Sequence, residues 1–165
     1  MSDVKVGLKK CAILCILRNK DKILLLQRAK QPHYMKYIPI GGKLEPFETP
    51  VEAAKREVKE ECGVDLANLK FCGVMVETSP VDFNWVNFIY TAEVDFFEPP
   101  PCNEGTLKWV KISDLSNIST PTTDRYIYHY VLKGKPFMFN AIYNEKIELL
   151  ELHEEIENKT LYKKL

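Results

Sequence analysis

Apolar and polar positions divide the chain into short segments of two kinds. Residues 9–18, KKCAILCILR, form an apolar run of strand length, Asp21-Lys22 supplies a turn, and ILLLQR at 23–28 returns. The pattern predicts a hairpin within a larger sheet. Residues 29–39 carry Pro32 and Pro39 and read as loop. From Thr49 to Cys62 the spacing predicts a helix, with Thr49 as cap, Pro50 at the first helical position, Glu52 completing a capping box, and Gly63 as the stop. LKFCGVMVET (69–78) and WVNFIYTAEV (85–94) are rich in β-branched and aromatic residues and predict two strands joined by a turn.

EPPPCNEG (98–105) is a loop, because consecutive prolines exclude a central strand. TLKWVKI predicts a further strand, SDLSNI a short helical turn, and TDRYIYHYVLKG (123–134) an amphipathic helix ending at Gly134. PFMFNAIYN and KIELLEL predict a terminal strand pair, followed by a polar tail. These elements predict one α+β domain over residues 1–165, a mixed sheet with two principal helices.

Composition narrows the partner. The 165 residues are 45% hydrophobic and 28% charged, with 23 basic and 23 acidic side chains. That is an ordinary globular balance, without the basic surplus that gripping a nucleic-acid polymer requires. A small molecule is the expected partner. The N-terminal segment, residues 1–20, holds an apolar run too short to span a bilayer and no small-residue cleavage site, so no membrane partner is expected. Cysteines 11, 15, 62, 72 and 102 are odd in number and form no CxxC pair. Free thiols in a reducing cytosol, hence a cytoplasmic protein, are expected. The three histidines are scattered, and HEEIE at 153–157 lacks the second histidine of a zinc helix.

The chemistry concentrates between Gly41 and Val64, GGKLEPFETPVEAAKREVKEECGV. On a helix, Glu57, Glu60 and Glu61 fall within a sector of roughly 100°. Like charges that close repel, and Lys55 and Lys59 point largely elsewhere. A divalent cation accounts for the cluster: Mg²⁺ takes carboxylates, waters and substrate phosphates. Ala53, Ala54 and Val58 give the helix a small apolar surface for the sheet. Arg56 is placed to pair with Glu48 and pin the preceding loop. Gly41 and Gly42 let backbone approach a ligand or metal closely.

Taken one by one, these residues read as a solvated acidic helix behind a glycine turn. Taken jointly, Gly42-x5-Glu48-x7-Arg56-Glu57-Val58-x-Glu60-Glu61-x-Gly63-Val64 resembles an intact Nudix box, the signature of MutT-type hydrolases. The flanking elements resemble that family's α/β/α sandwich with a central mixed sheet. The resemblance implies hydrolysis of a nucleoside diphosphate linked to another moiety, by water attacking a pyrophosphate phosphorus, with Mg²⁺ or Mn²⁺. It implies Glu57, Glu60 and Glu61 as metal ligands with a carbonyl near Gly41, and Arg56 and Glu48 as orienting partners. Glu104, in the loop ahead of Trp109, resembles a loop glutamate that binds metal or serves as general base in related hydrolases.

Arg28 and Lys43 are cations placed for phosphate contact, and Tyr37 is an aromatic placed to stack on a base. The C-terminal half is similar to the oxidised-purine nucleoside triphosphate pyrophosphatases. There Asp124 matches an acid that reads the base edge, and Thr123 stands where a second acid can occur. Ile38 departs from that pattern, replacing an asparagine. The reading this favours is a pyrophosphatase of modified, 8-oxo-dGTP-like nucleoside triphosphates. Pro80 resembles a cue for ADP-ribose or another nucleoside diphosphate sugar as the alternative substrate. A catalytically silent nucleotide-binding module is the alternative of another class. A monomer or homodimer is expected.

Overall fold

The computed structural model describes residues 6–165, so the first five positions of the N-terminal segment lie outside the described residues. Strands β1 (Leu8–Asn19) and β2 (Lys22–Arg28) form the predicted hairpin. Two short strands follow inside the proline-bounded loop and the glycine turn, β3 (Tyr37–Ile38) on β2 and β4 (Ile40–Lys43) on β1. Helix α1 (Pro50–Cys62) comes next, then β5 (Lys70–Thr78), β6 (Phe83–Glu93) and β7 (Gly105–Lys111). A single 3-10 turn (Ile112–Asp114) and helix α2 (Thr122–Leu132) precede β8 (Phe137–Tyr143), β9 (Leu149–Glu154) and β10 (Lys159–Lys163).

The strands make one mixed ten-stranded sheet, ordered β10-β9-β8-β5-β6-β1-β2-β3, with β4 also on β1 and β7 also on β2. β6 runs parallel to β1 from Leu8↔Phe83 to Arg18↔Glu93, and β8 runs parallel to β5. The side-chain period of two sends alternate residues of β1 to opposite faces. Ile13, Cys15 and Leu17 pack with Ala53, Ala54 and Val58 of α1. Ile16, with Leu14 beside it, packs with Ile127, Tyr128 and Val131 of α2. The two helices therefore cover opposite faces, and the α+β sandwich follows from the alternation along one strand.

The capping of α1 is local chemistry. The Thr49 hydroxyl and the Glu52 carboxylate satisfy each other's backbone N–H groups, and Gly63, at φ 73°, donates to the Lys59 carbonyl. The C-terminal end departs from the expected polar tail, because β10 pairs antiparallel with β9. Its turn is built on Glu154. This side chain is fully buried and accepts from the backbone N–H groups of Met138, Ile156 and Glu157 at 3.3, 2.8 and 2.8 Å. Burial pushes its carboxyl up, yet those three donors more than reverse the effect and hold it below the usual glutamate range. All five cysteines are free. No helix among the described residues is long and apolar enough to cross a membrane.

Candidate active site

Two glycines fix where α1 meets the sheet. Gly41 pairs with Leu14 across β4 and β1, and a Cβ on it would come within 2.3 Å of the Ile13 carbonyl oxygen. At Gly42 a Cβ would lie 2.1 Å from Oε1 of Glu57, so the missing side chain is the space the Glu57 carboxylate fills. Glycine is required at both positions by close approach, not by backbone angle.

Arg56 organises the acids. Its Nε donates to Glu48 Oε1 and its Nη2 to Glu48 Oε2 (2.9 Å) and to the Lys43 carbonyl (3.0 Å). Its Nη1 donates to Glu57 (2.9 Å) and Glu60 (3.2 Å). The hydrogen bond from Arg56 holds the Glu48 carboxyl below its ordinary value, with the Glu45 backbone adding to it. The charge cluster expected on α1 is thus partly neutralised within the chain, a role for Arg56 wider than one pair with Glu48. Lys59 turns away to Asp65, as the spacing implied.

Glu61 is left out of this arrangement. Its Oε2 is buried without a hydrogen-bond partner, the one such side-chain atom among the described residues. Burial, then the charges of Glu57, Glu104 and Glu60, push its carboxyl up to about 8, with Arg28 pulling back. Burial also raises Glu57, against the opposing pull of Arg56. Glu60 sits at the exposed edge of the group. Glu104 is exposed like Glu60, with Oε2 3.5 Å from Arg28 Nη1, and its carbonyl accepts from Ala29 N–H, which ties the Pro-rich loop to the end of β2.

Among the described residues no three His, Cys, Asp or Glu side chains form a ready-made metal cage. The donor set nevertheless suits a hard cation. It is all oxygen, Glu57 and Glu60 are held in place by Arg56, and one buried carboxylate oxygen faces its neighbours with nothing to bind. Orphaned buried polar atoms are rare, and a bound ion or water is one of the arrangements that satisfies them.

A cleft of about 730 Å³ opens on the α2 side of the sheet. Leu14 lines it and also lies over Gly41, so the cleft adjoins the glycine step on which Glu57 rests. Ile38, Met75, Trp85 and Tyr143 supply apolar walls, and Glu77 and Asp124 supply charge. Asp124 is buried, and desolvation followed by the Glu77 charge pushes its carboxyl up to about 7, against a hydrogen bond from Thr123. Lys43 and Arg28 lie outside the lining; Lys43 Nζ stands 5.9 Å from the ring centroid of Trp85, which lines the cleft. Tyr37 lies outside the lining, while its neighbours Lys36 and Ile38 lie within it; Lys108 Nζ stands 5.8 Å over the Tyr37 ring. Ser79 and Asn84 bond each other where β5 turns into β6, beside the exposed Pro80, and both line the cleft.

Glu77 is the cleft residue that the sequence pattern left unmarked, because a glutamate near a strand end carries no local signal. A Nudix box on α1 within an α/β/α sandwich is matched by the whole-chain comparison. The NUDIX domain family matches residues 8–131, and the protein belongs to that family, the Nudix hydrolases. It is 28% identical over 142 residues to the Nudix hydrolase YvcI of Bacillus subtilis, covering 82% of this chain and 88% of that one. A shorter stretch of 78 residues is 36% identical to the 8-oxo-dGDP phosphatase NUDT18 of Danio rerio, 47% of this chain but only 23% of that protein. Among solved structures, the MutT protein of Bacillus halodurans superposes with a TM-score of 0.79 at 26% identity, over 88% of this chain and 97% of the other.

Proposed function

We propose that this Nudix hydrolase cleaves nucleoside triphosphates, modified purine nucleotides first among them, to the monophosphate and pyrophosphate. The carrying observation is the junction of the two sites. None of the α1 carboxylates lines the cleft, but the glycine step links them to it: Glu57 packs on Gly42, and Leu14, which lines this cleft of nucleotide size, lies over Gly41. The similarity to an enzyme named as an 8-oxo-dGDP phosphatase supports an oxidised guanine nucleotide as substrate.

In this reading Glu57, Glu60, Glu61 and Glu104, with the Gly41 carbonyl, hold Mg²⁺ or Mn²⁺. Such a cation neutralises phosphate oxygens and lowers the pKa of a bound water. Arg56 fixes the first two carboxylates and, through Glu48, the loop before the helix. Arg28 and Lys43 face the phosphates, Asp124 faces the base, and Tyr37 supports the base site from behind Ile38.

The test is turnover of a panel of canonical and oxidised nucleoside triphosphates, ADP-ribose and dinucleotides with Mg²⁺, with products identified. Pyrophosphate release from triphosphates supports the proposal. AMP plus ribose phosphate from ADP-ribose as the preferred reaction replaces it with the nucleotide-sugar reading. Binding without turnover of any member replaces it with a silent nucleotide-binding module.

A further inference from the structure

The α1 cluster is not the only place where carboxyls converge. Glu77, near the end of β5, and Asp124, in the first turn of α2, both line the cleft. The Glu77 charge acts on Asp124, and Tyr143 of β8 feels both. Burial raises Glu77 as well, opposed by hydrogen bonds from the Trp85 backbone N–H and the Asn87 side chain and by the charge of Lys9. Neither carboxylate has an ion-pair partner within 4 Å among the described residues. The charge of Lys9 reaches Glu77 and that of Lys36 reaches Asp124, but neither lysine forms an ion pair with them. Lys9 Nζ donates to the Thr78 hydroxyl at 2.8 Å and to the Glu77 carbonyl, and Lys36 stands in the lining with His33 and Asp82.

Asp124 is buried and Glu77 partly so; hydrogen bonds from Thr123, and from the Trp85 N–H and the Asn87 side chain, satisfy them in part, but no ion pair offsets either charge and acceptor capacity is left over. The ligand is the missing partner. On the reading that the cleft holds the base of a nucleotide, we infer that Glu77 is a specificity-determining residue. Together with Asp124 it selects heterocycles that present two or more N–H donors, as 2-amino-6-oxopurines do.

The chemistry is a count of donors and acceptors. An ionised carboxylate only accepts, while a protonated one offers a single O–H. Two carboxyls lining one cleft, both raised by burial and Asp124 further by the Glu77 charge, favour a state with one proton between them. Such a pair accepts the ring N–H and the exocyclic amine of a guanine-type base and donates its shared proton to the 6-oxo group. A base without the 2-amino group leaves a carboxylate oxygen desolvated and unpaired. A polar site built for a donor rejects an analogue that lacks it.

Deoxyguanosine and deoxyinosine triphosphates differ only in that amine, so their comparison isolates it. With Mg²⁺, the wild type is expected to prefer dGTP over dITP by about tenfold or more in kcat/KM, mostly through KM. In Glu77→Gln the preference is expected to fall to about twofold or less, through a rise in KM for dGTP. Equal use of the two by the wild type, or an unchanged preference in the variant, overturns the inference. If Glu77→Gln fails to fold, as judged by its melting curve, the wild-type ratio still decides. If the wild type turns over no triphosphate, the proposed function falls but this inference is still read by calorimetry with GMP and IMP. Tenfold tighter GMP binding supports it, and equal binding overturns it.

Discussion

Arg56 grips both carboxylate oxygens of Glu48, eight residues upstream, with two of its nitrogens. The remaining donor reaches Glu57 and Glu60, so one planar guanidinium spans the loop and the carboxylate-bearing side of α1. Lysine offers a point charge without that fork. Arg56→Lys is expected to lower Mg²⁺-dependent turnover on the order of 10–100-fold, the usual cost of losing a group that orients ligands. Steady-state kinetics across a Mg²⁺ titration check it, and an unchanged Mg²⁺ dependence would count against the orienting role.

Gly42 leaves no room for a methyl group beside Glu57. Gly42→Ala is expected to displace that carboxylate and reduce kcat/KM by roughly a hundredfold, as displacements near 1 Å do. Circular dichroism should show the fold retained, since φ at this position is not in the left-handed region. Wild-type turnover in Gly42→Ala would show that Glu57 tolerates another position.

Burial and the charges of Glu57, Glu104 and Glu60 make an ionised Glu61 carboxylate costly to the metal-free protein in mildly alkaline buffer, a charge that glutamine lacks. In chelator, Glu61→Gln is therefore expected to melt higher than the wild type, by roughly 2–4 °C for each kcal/mol recovered in a chain of this size. Added Mg²⁺ should raise the wild-type Tm and leave the variant's nearly unmoved. Equal Mg²⁺ shifts in both would remove Glu61 from the ligand set.

Asp124 titrates near 7 in the folded chain, well above its ordinary 3.8. Between those values the native protein holds a proton that the unfolded chain has released. Stability is therefore greatest below the unfolded value and declines as pH rises through 7, by at most about 1.4 kcal/mol per pH unit from this group. Denaturant titrations from pH 4 to 8 are expected to show this decline in the wild type and a flatter profile in Asp124→Asn. Identical profiles would place Asp124 in a more hydrated setting.

Glu154 closes the β9–β10 turn with three backbone donors. Glu154→Ala strands them and is expected to cost on the order of 3 kcal/mol. The Tm falls accordingly, while the KM of any residual folded enzyme is unchanged.

Local chemistry was the legible part of this protein. Thr49, Pro50, Glu52 and Gly63 announce α1, because each acts on backbone within a turn of itself. The strands β3, β4 and β10 were not announced. They are short or polar and exist through partners elsewhere in the chain, as β4 does through Ala12 to Cys15. Spacing placed Glu57, Glu60 and Glu61 together, but not the sharing of Arg56 among them or the isolation of Glu61. Those depend on how deeply α1 settles on Gly42. Glu77 and Asp124 meet only because β5 and α2 border one cleft, and no stretch of sequence contains both.

The parallel pairing of β1 with β6 also governs when helix α1 can be held. β1 ends at Asn19 and β6 begins at Phe83, so α1 lies within the loop that this pairing closes. Closing a long loop costs entropy before its contacts repay it, and such pairings form slowly. During synthesis α1 can coil early, on its own caps, but its carboxylates gain a fixed seat only once β6 has emerged and locked β1 in register. The α1 cluster thus gains its seat only after more than half of the chain has been made.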